Sequence, residues 1–182
     1  MTTDSQPDLL VLHGAALGEV ARLVAGVSAD QRGTATPCPQ WSVDALIGHL
    51  VAGNRRFAAA ATGSAVRAAL DEVAPETDHV AYEESARATA DAWRDPAALQ
   101  QEKGPMLLTI HIIENLVHGW DLARATGQDA AFGDDILDAV EPMARSMMPA
   151  ERPAGSGFEA ERSAPAGASR LDQLAAFYGR EV

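Results

Sequence analysis

Apolar residues recur at helical spacing over residues 8–27, where Leu9, Leu12, Ala16, Leu17, Val20, Leu23, Val24 and Val27 form one stripe. The pattern predicts a first helix with one face on a core. Residues 34–41 break it, because Pro37 and Pro39 each fix a backbone angle and discourage helix. Ser42 then offers an N-cap oxygen and Asp44 a first-turn carboxylate, which predicts a second helix through Ala45, Leu46, His49, Leu50 and Phe57 to Gly63. Between Gly63 and Gly104 the pattern weakens to short helical stretches at 65–73 and 83–93, with a break near Pro75. From Pro105 it sharpens again: Leu107, Ile110, Glu114, Val117, His118 and Leu122 keep helical spacing up to a stop at Gly127. Residues 134–148 predict a further helix that Pro142 should kink or end early. Residues 149–169, rich in Pro, Gly, Ala and Ser, predict an excursion over the surface, and 171–178 a short terminal helix docking through Leu171, Leu174 and Phe177. No strand-like alternation persists, so the expected class is all-α, a four-helix bundle with long connections and a short C-terminal helix.

Length and charge narrow the function. A chain of 182 residues suits one domain spanning 1–182, large enough to bury a core without cross-links. Acidic residues outnumber basic ones 26 to 14, and the resulting charge of -12 repels phosphate backbones and anionic lipid, so no nucleic acid or membrane partner is expected. Cys38 is the only cysteine, which excludes an internal disulfide and a zinc site built from several thiolates. The polar start and the lack of a long apolar run predict a cytoplasmic protein, as a monomer or homodimer.

The chemistry concentrates in the segment His111-Ile-Ile-Glu114-Asn-Leu-Val-His118. On a helix, Glu114 and His118 lie about 6 Å apart along the axis and about 40° around it, close enough to share one ion. His111, three residues before Glu114, lies on the same flank and could join the site or orient a ligand. Such pairs are also common on exposed helix faces as ordinary hydrogen-bonded partners. Here Glu114 and His118 sit among Ile110, Ile113, Val117 and Trp120, in a face expected to be partly buried, where a carboxylate is costly without a compensating cation. His49, between Ile47, Leu50 and Val51, is the best candidate for a third ligand; the plainer alternative is a core histidine with a hydrogen-bond partner.

Three segments carry a family resemblance: Thr36-Pro-Cys-Pro-Gln-Trp-Ser-Val, the run from Gly48 through His49 to Phe57, and the run from Glu114 through His118 to Gly127. Together with the ending Leu171-Asp-Gln-Leu-Ala-Ala-Phe-Tyr-Gly179, they resemble the DinB-like metalloproteins of actinobacteria, more narrowly the amino-terminal domain of mycothiol-dependent maleylpyruvate isomerase. The resemblance implies a four-helix bundle holding one zinc-like ion through a helix-two histidine and a glutamate and histidine four apart on helix three, matching His49, Glu114 and His118. Nickel, cobalt or iron suit the same donors. It also implies mycothiol as the thiol cosubstrate. The isomerase has a further carboxy-terminal domain that helps form its active site, whereas this sequence ends soon after its bundle, which points away from maleylpyruvate isomerisation itself.

These residues lead to a metal-dependent, thiol-using transferase or isomerase acting on a small electrophile. The alternative is a bundle that binds a metal or small ligand without turnover. Of the remaining residues, Arg55 or Arg56 could face an anionic substrate while the other is salt-bridged, and Asp121 could support a ligand. Cys38 is expected to be a small buried residue, Trp120 to pack in the core, and His13 and His79 to lie at the surface or on helix flanks.

Overall fold

The computed structural model describes residues 8–64, 72–148, 152 and 158–182. Four long helices, α1 (Leu9–Ala25), α2 (Val43–Ala61), α3 (His79–Trp93) and α5 (Gly104–Thr126), form the bundle. A short helix, α4 (Pro96–Gln100), links α3 to α5, and α6 (Asp134–Met147) and α7 (Arg170–Phe177) lean on the outer side of α5. Among the described residues there is no strand, only an isolated bridge between Ala35 and Ser42. α1 and α2 each pack on both α3 and α5, so α1 and α2 occupy one diagonal of the bundle and α3 and α5 the other.

The expected caps are present. Asp8 accepts from Leu10 N at the start of α1, Ser42 accepts from Ala45 N at the start of α2, and Gly127 closes α5. α3 is a full member of the bundle, longer than the weak pattern suggested, because its buried stripe is Tyr82, Ser85, Ala86, Thr89 and Trp93. Small and hydroxyl residues make that stripe nearly invisible to hydropathy. The helix expected at 65–73 falls largely outside the described residues; Glu72 and Val73, which lie within them, are not helical.

The early end expected at Pro142 does not occur, since α6 runs through it to Met147. Pro142 faces solvent, while Ile136, Leu137, Val140 and Ala144 hold the opposite face in the core. The hydrogen bond that proline removes is therefore lost on the wet side, where water can replace it.

The bundle interior is not purely apolar. His13 of α1, expected at the surface, is 1% exposed and pairs with His111 at 3.0 Å. From there a chain of hydrogen bonds visits every long helix. His13 Nε2 donates to His111 Nδ1, His111 Nε2 donates to Asn54 Oδ1 of α2 at 3.1 Å, and Asn54 Nδ2 donates to Ser85 Oγ of α3 at 3.0 Å. Ser85 Oγ donates to the carbonyl of Tyr82, whose hydroxyl donates to Asn115 Oδ1 at 3.1 Å; Asn115 in turn donates to the carbonyl of His111. Phe57 stacks on the His111 ring with centroids 4.3 Å apart. The direction of each bond requires His111 to be neutral, because a protonated His111 would set two N–H groups against each other.

Burial pushes His13 from 6.5 down to about 4, and burial with the neighbouring His13 and Arg56 takes His111 well below its usual range. Unfolded, His13 takes up a proton below about pH 6.5. The unfolded chain therefore binds more protons between pH 6.5 and 4, and stability falls as pH drops through that window.

Two outcomes follow for urea unfolding. Tyr82→Phe leaves the Asn115 acceptor buried without its donor and should cost about 1–3 kcal/mol at pH 7; an unchanged midpoint would show the bond contributes nothing. Between pH 7 and 4.5 the wild type should lose about 2–3 kcal/mol more than His13→Gln does, and parallel losses in the two proteins would rule out His13 as the titrating group.

Candidate metal centre

The site lies where α2 and α5 face each other beneath the loop before α2. Residues 72–77 reach it because Gly48 has no side chain: a β-carbon there would stand 2.5 Å from the Ala74 carbonyl oxygen and 2.7 Å from Val73. Ala74 N donates to the Gly48 carbonyl, and Asp44 fastens the same loop by accepting from Thr77 and from Arg32, each at 2.7 Å. This brings the Glu72 carbonyl 3.3 Å from His49 Nδ1. His118 Nδ1 lies 3.1 Å from Asp121 Oδ2, one turn further along α5.

Each ring thus has Nδ1 held by an acceptor, which orients it and leaves Nε2 outside that bond. That is the arrangement seen where histidines serve as metal ligands. The two ring centres are 5.0 Å apart, with the planes nearly perpendicular. Burial, followed by the nearby His118 and Arg56, pushes His49 down to about 3, so its ring is neutral.

Glu114 arrives one turn before His118. Its Oε2 lies over α2, 3.7 Å from where a β-carbon on Gly53 would stand. Burial raises its carboxyl pKa, while His118 and Arg56 pull it back. The donor set, two buried imidazoles and a half-buried carboxyl, fits a divalent cation of the zinc type. As the side chains stand, no three His, Cys, Asp or Glu groups among the described residues are drawn together tightly enough to enclose an ion.

The other residues singled out from sequence separate clearly. Arg55 points outward and pairs with Glu76 at 3.0 Å, both half exposed. Arg56 turns inward, 5% exposed, close enough for its charge to act on His49, His111 and Glu114. His111 is committed to His13 and Asn54 through both ring nitrogens, two turns before His118 on the same face of α5. His79 is exposed at the start of α3. Cys38 is fully buried, and burial pushes its thiol pKa up, which suits a packing residue rather than a nucleophile.

Three residues were not singled out by sequence reasoning. Trp41 stacks on His49 at 4.0 Å and meets His118 edge-on at 5.5 Å, roofing both rings. A turn delivers it: Trp41 N donates to the Cys38 carbonyl, and Thr36 Oγ1 donates to the Trp41 carbonyl at 2.8 Å. Phe158 approaches His118 from the other side at 6.5 Å. Arg180 comes from the far end of the chain, 1% exposed, and gripping Asp121 by two bonds of 2.9 Å, from Nε to Oδ1 and from Nη2 to Oδ2.

Arg180 is aimed by Gly179, whose φ of 85° lies in the left-handed region and whose missing side chain makes room for the Glu159 backbone. Two Arg180 bonds and the His118 bond hold Asp121 well ionised although it is fully buried. Trp41 carried a signal in its place beside the two prolines. Arg180, 59 residues from its partner, carried none.

These features define an all-helical protein of the DinB-like type. A family model described as the mycothiol maleylpyruvate isomerase N-terminal domain matches residues 13–123, and the chain belongs to that family. Two Mycobacterium tuberculosis proteins, Uncharacterized protein Rv0738 of strain H37Rv and Uncharacterized protein MT0763 of strain CDC 1551, are each 33% identical to it. The likeness spans 96% of this chain and 99% of each relative. No solved structure matches it significantly. The family match covers His49, Arg56, Glu114, His118 and Asp121, but stops before Phe158 and Arg180.

Arg180→Met strands the buried Asp121 carboxylate and should lower unfolding stability by about 3–5 kcal/mol. Arg180→Lys should recover only part of it, because an ammonium cannot make the two-pronged contact. Equal stability of Arg180→Met and wild type in urea would show that Asp121 does not depend on this arginine.

Proposed function

We propose that the protein binds one divalent cation, of the zinc type, through His49, Glu114 and His118, and acts as a thiol-dependent transferase or isomerase on a small electrophile, with mycothiol as the thiol. The observation that carries this reading is the pair of buried imidazoles, each anchored through Nδ1, beside a carboxyl whose pKa burial has raised. Membership of a mycothiol-related family supports the choice of thiol. When bound, such a cation would supply Lewis acidity and hold a thiol as thiolate at neutral pH.

The protein's own groups set the conditions for that chemistry. The Glu72 carbonyl and the Asp121 carboxylate orient the two rings through Nδ1. Trp41 and Phe158 shield the rings from water, which strengthens every electrostatic contact beneath them. Arg56 keeps a positive charge beside the carboxylate and offers a counter-charge to an anionic thiol or its carboxylate end. Among the described residues no helix is long and apolar enough to cross a membrane, and a cytoplasmic site is where a small reduced thiol would be available.

Elemental analysis of protein purified without added metal should find about one zinc-like ion per chain. His49→Ala and His118→Ala should lose it at least about tenfold in affinity, while the exposed His79→Ala retains it. Equal metal content in all variants would remove the site. In cobalt-substituted protein, mycothiol should produce a sulfur-to-metal charge-transfer band at lower concentration than glutathione. Bound cobalt whose spectrum ignores both thiols would leave a metal-binding bundle without the proposed chemistry.

A further inference from the structure

A cavity of about 130 Å³ opens beside Glu114, between α5, the end of α6 and the chain after it. Its wall on α5 is Ile110, Ile113 and Val117, positions that share one helix face with Glu114. Met147 and Met148 close it from α6, and Phe158 and Tyr178 from the C-terminal segment. Among the described residues Glu114 is the one charged member of this lining; Arg145 and Arg152 act on Tyr178 from outside it.

We propose that this cavity seats an uncharged hydrocarbon group, the size of a six-membered ring or a short branched alkyl chain, forming the non-reacting end of the electrophile. The identity of the molecule as the electrophile rests on the function proposed above; the binding preference does not. Size comes from the volume, since an apolar cavity of roughly 150 Å³ accepts benzene. Polarity comes from the walls. A carboxylate placed here would lose its water to aliphatic and aromatic side chains and lie against the Glu114 carboxyl, while Arg56, Arg145 and Arg152 stay outside the described lining. The substrate class is thus one with an apolar end, and a small dicarboxylate does not fit it. The two methionines suit this use, because unbranched thioethers adapt to ligands of different outline, and Met147, 44% exposed, stands at the rim. With Glu114 in the lining, a group bound in the cavity lies directly beside the proposed ligand set.

The test uses the whole protein with methyl-labelled methionine and two probes that share a ring, toluene and benzoate. Toluene should shift the Met147 and Met148 methyl resonances and leave those of Met106 and Met143 in place, and benzoate should need at least about tenfold more to do so. Ile110→Trp, at a partly exposed position, should fill the cavity and abolish the toluene response. Ile110→Ala should enlarge it and favour naphthalene over toluene relative to wild type. Toluene without effect on the two methyls, benzoate as effective as toluene, or an undiminished toluene response in Ile110→Trp would each overturn the proposal. The wild-type comparison of the two probes stands even if a variant fails to fold. The titration is run with chelator and again with added zinc. Toluene binding in a protein that holds no metal would sink the proposed function and keep the cavity assignment, and metal binding without toluene binding would do the reverse.

Discussion

The constraint on which the structure depends is the polar face that α5 carries through the middle of the bundle. His111, Asn115, His118 and Asp121 are all nearly or wholly buried, with Glu114 beside them, and each buried polar group costs free energy unless it finds a partner. No single neighbour can supply them all. α1 provides His13, α2 provides Asn54, α3 provides Tyr82 and Ser85, and the C-terminal segment provides Arg180. The helices are thus tied to one register around α5, because sliding any of them by a turn would orphan a buried donor or acceptor. Apolar packing drives the collapse, and the polar face selects which collapsed arrangement survives.

The same face divides into two halves with different tasks. Toward the start of α5 the network around His111 is closed: donors and acceptors consume one another and both imidazoles are neutral. Toward its end, His49 and His118 are each held through Nδ1 alone, and Glu114 lines an apolar cavity. A closed network suits structure, whereas rings held through one nitrogen alone suit a cation. This contrast, more than the presence of histidines as such, separates the candidate centre from the core.

The C-terminal segment ties the two ends of the chain to one site. Trp120 donates to Asp172 at 2.8 Å, docking α7, and the turn at Gly179 then sends Arg180 inward to Asp121. Phe158 and Tyr178 from the same part of the chain wall the cavity. The family match ends at residue 123, so the helical core with its histidines and glutamate belongs to the shared part of the molecule. Arg180, which clamps Asp121, and the Met147, Met148, Phe158 and Tyr178 side of the cavity lie beyond it, whereas Ile110, Ile113 and Val117 on the opposite wall lie within it.

Much of this could be read from the amino-acid order. The stripes of α1, α2 and α5, the Ser42 cap and the Gly127 stop are local signals, written in residues a turn or two apart, and the all-helical class follows from them. The pairing of Glu114 with His118 is equally local, since helix geometry alone brings residues four apart together. α3 is legible only over 83–93 because Ser85, Ala86 and Thr89 in its buried stripe give little hydropathy contrast, and Pro142 does not end α6 because its cost depends on which side of the helix meets water. Contacts between distant segments had no local signature at all. His13 meets His111 across 98 positions and Arg180 meets Asp121 across 59, and which nitrogen of each histidine is occupied depends on those meetings. Sequence determined which residues could carry chemistry; only the tertiary structure decided which of them were already satisfied, because a polar group's partner is set by packing between helices.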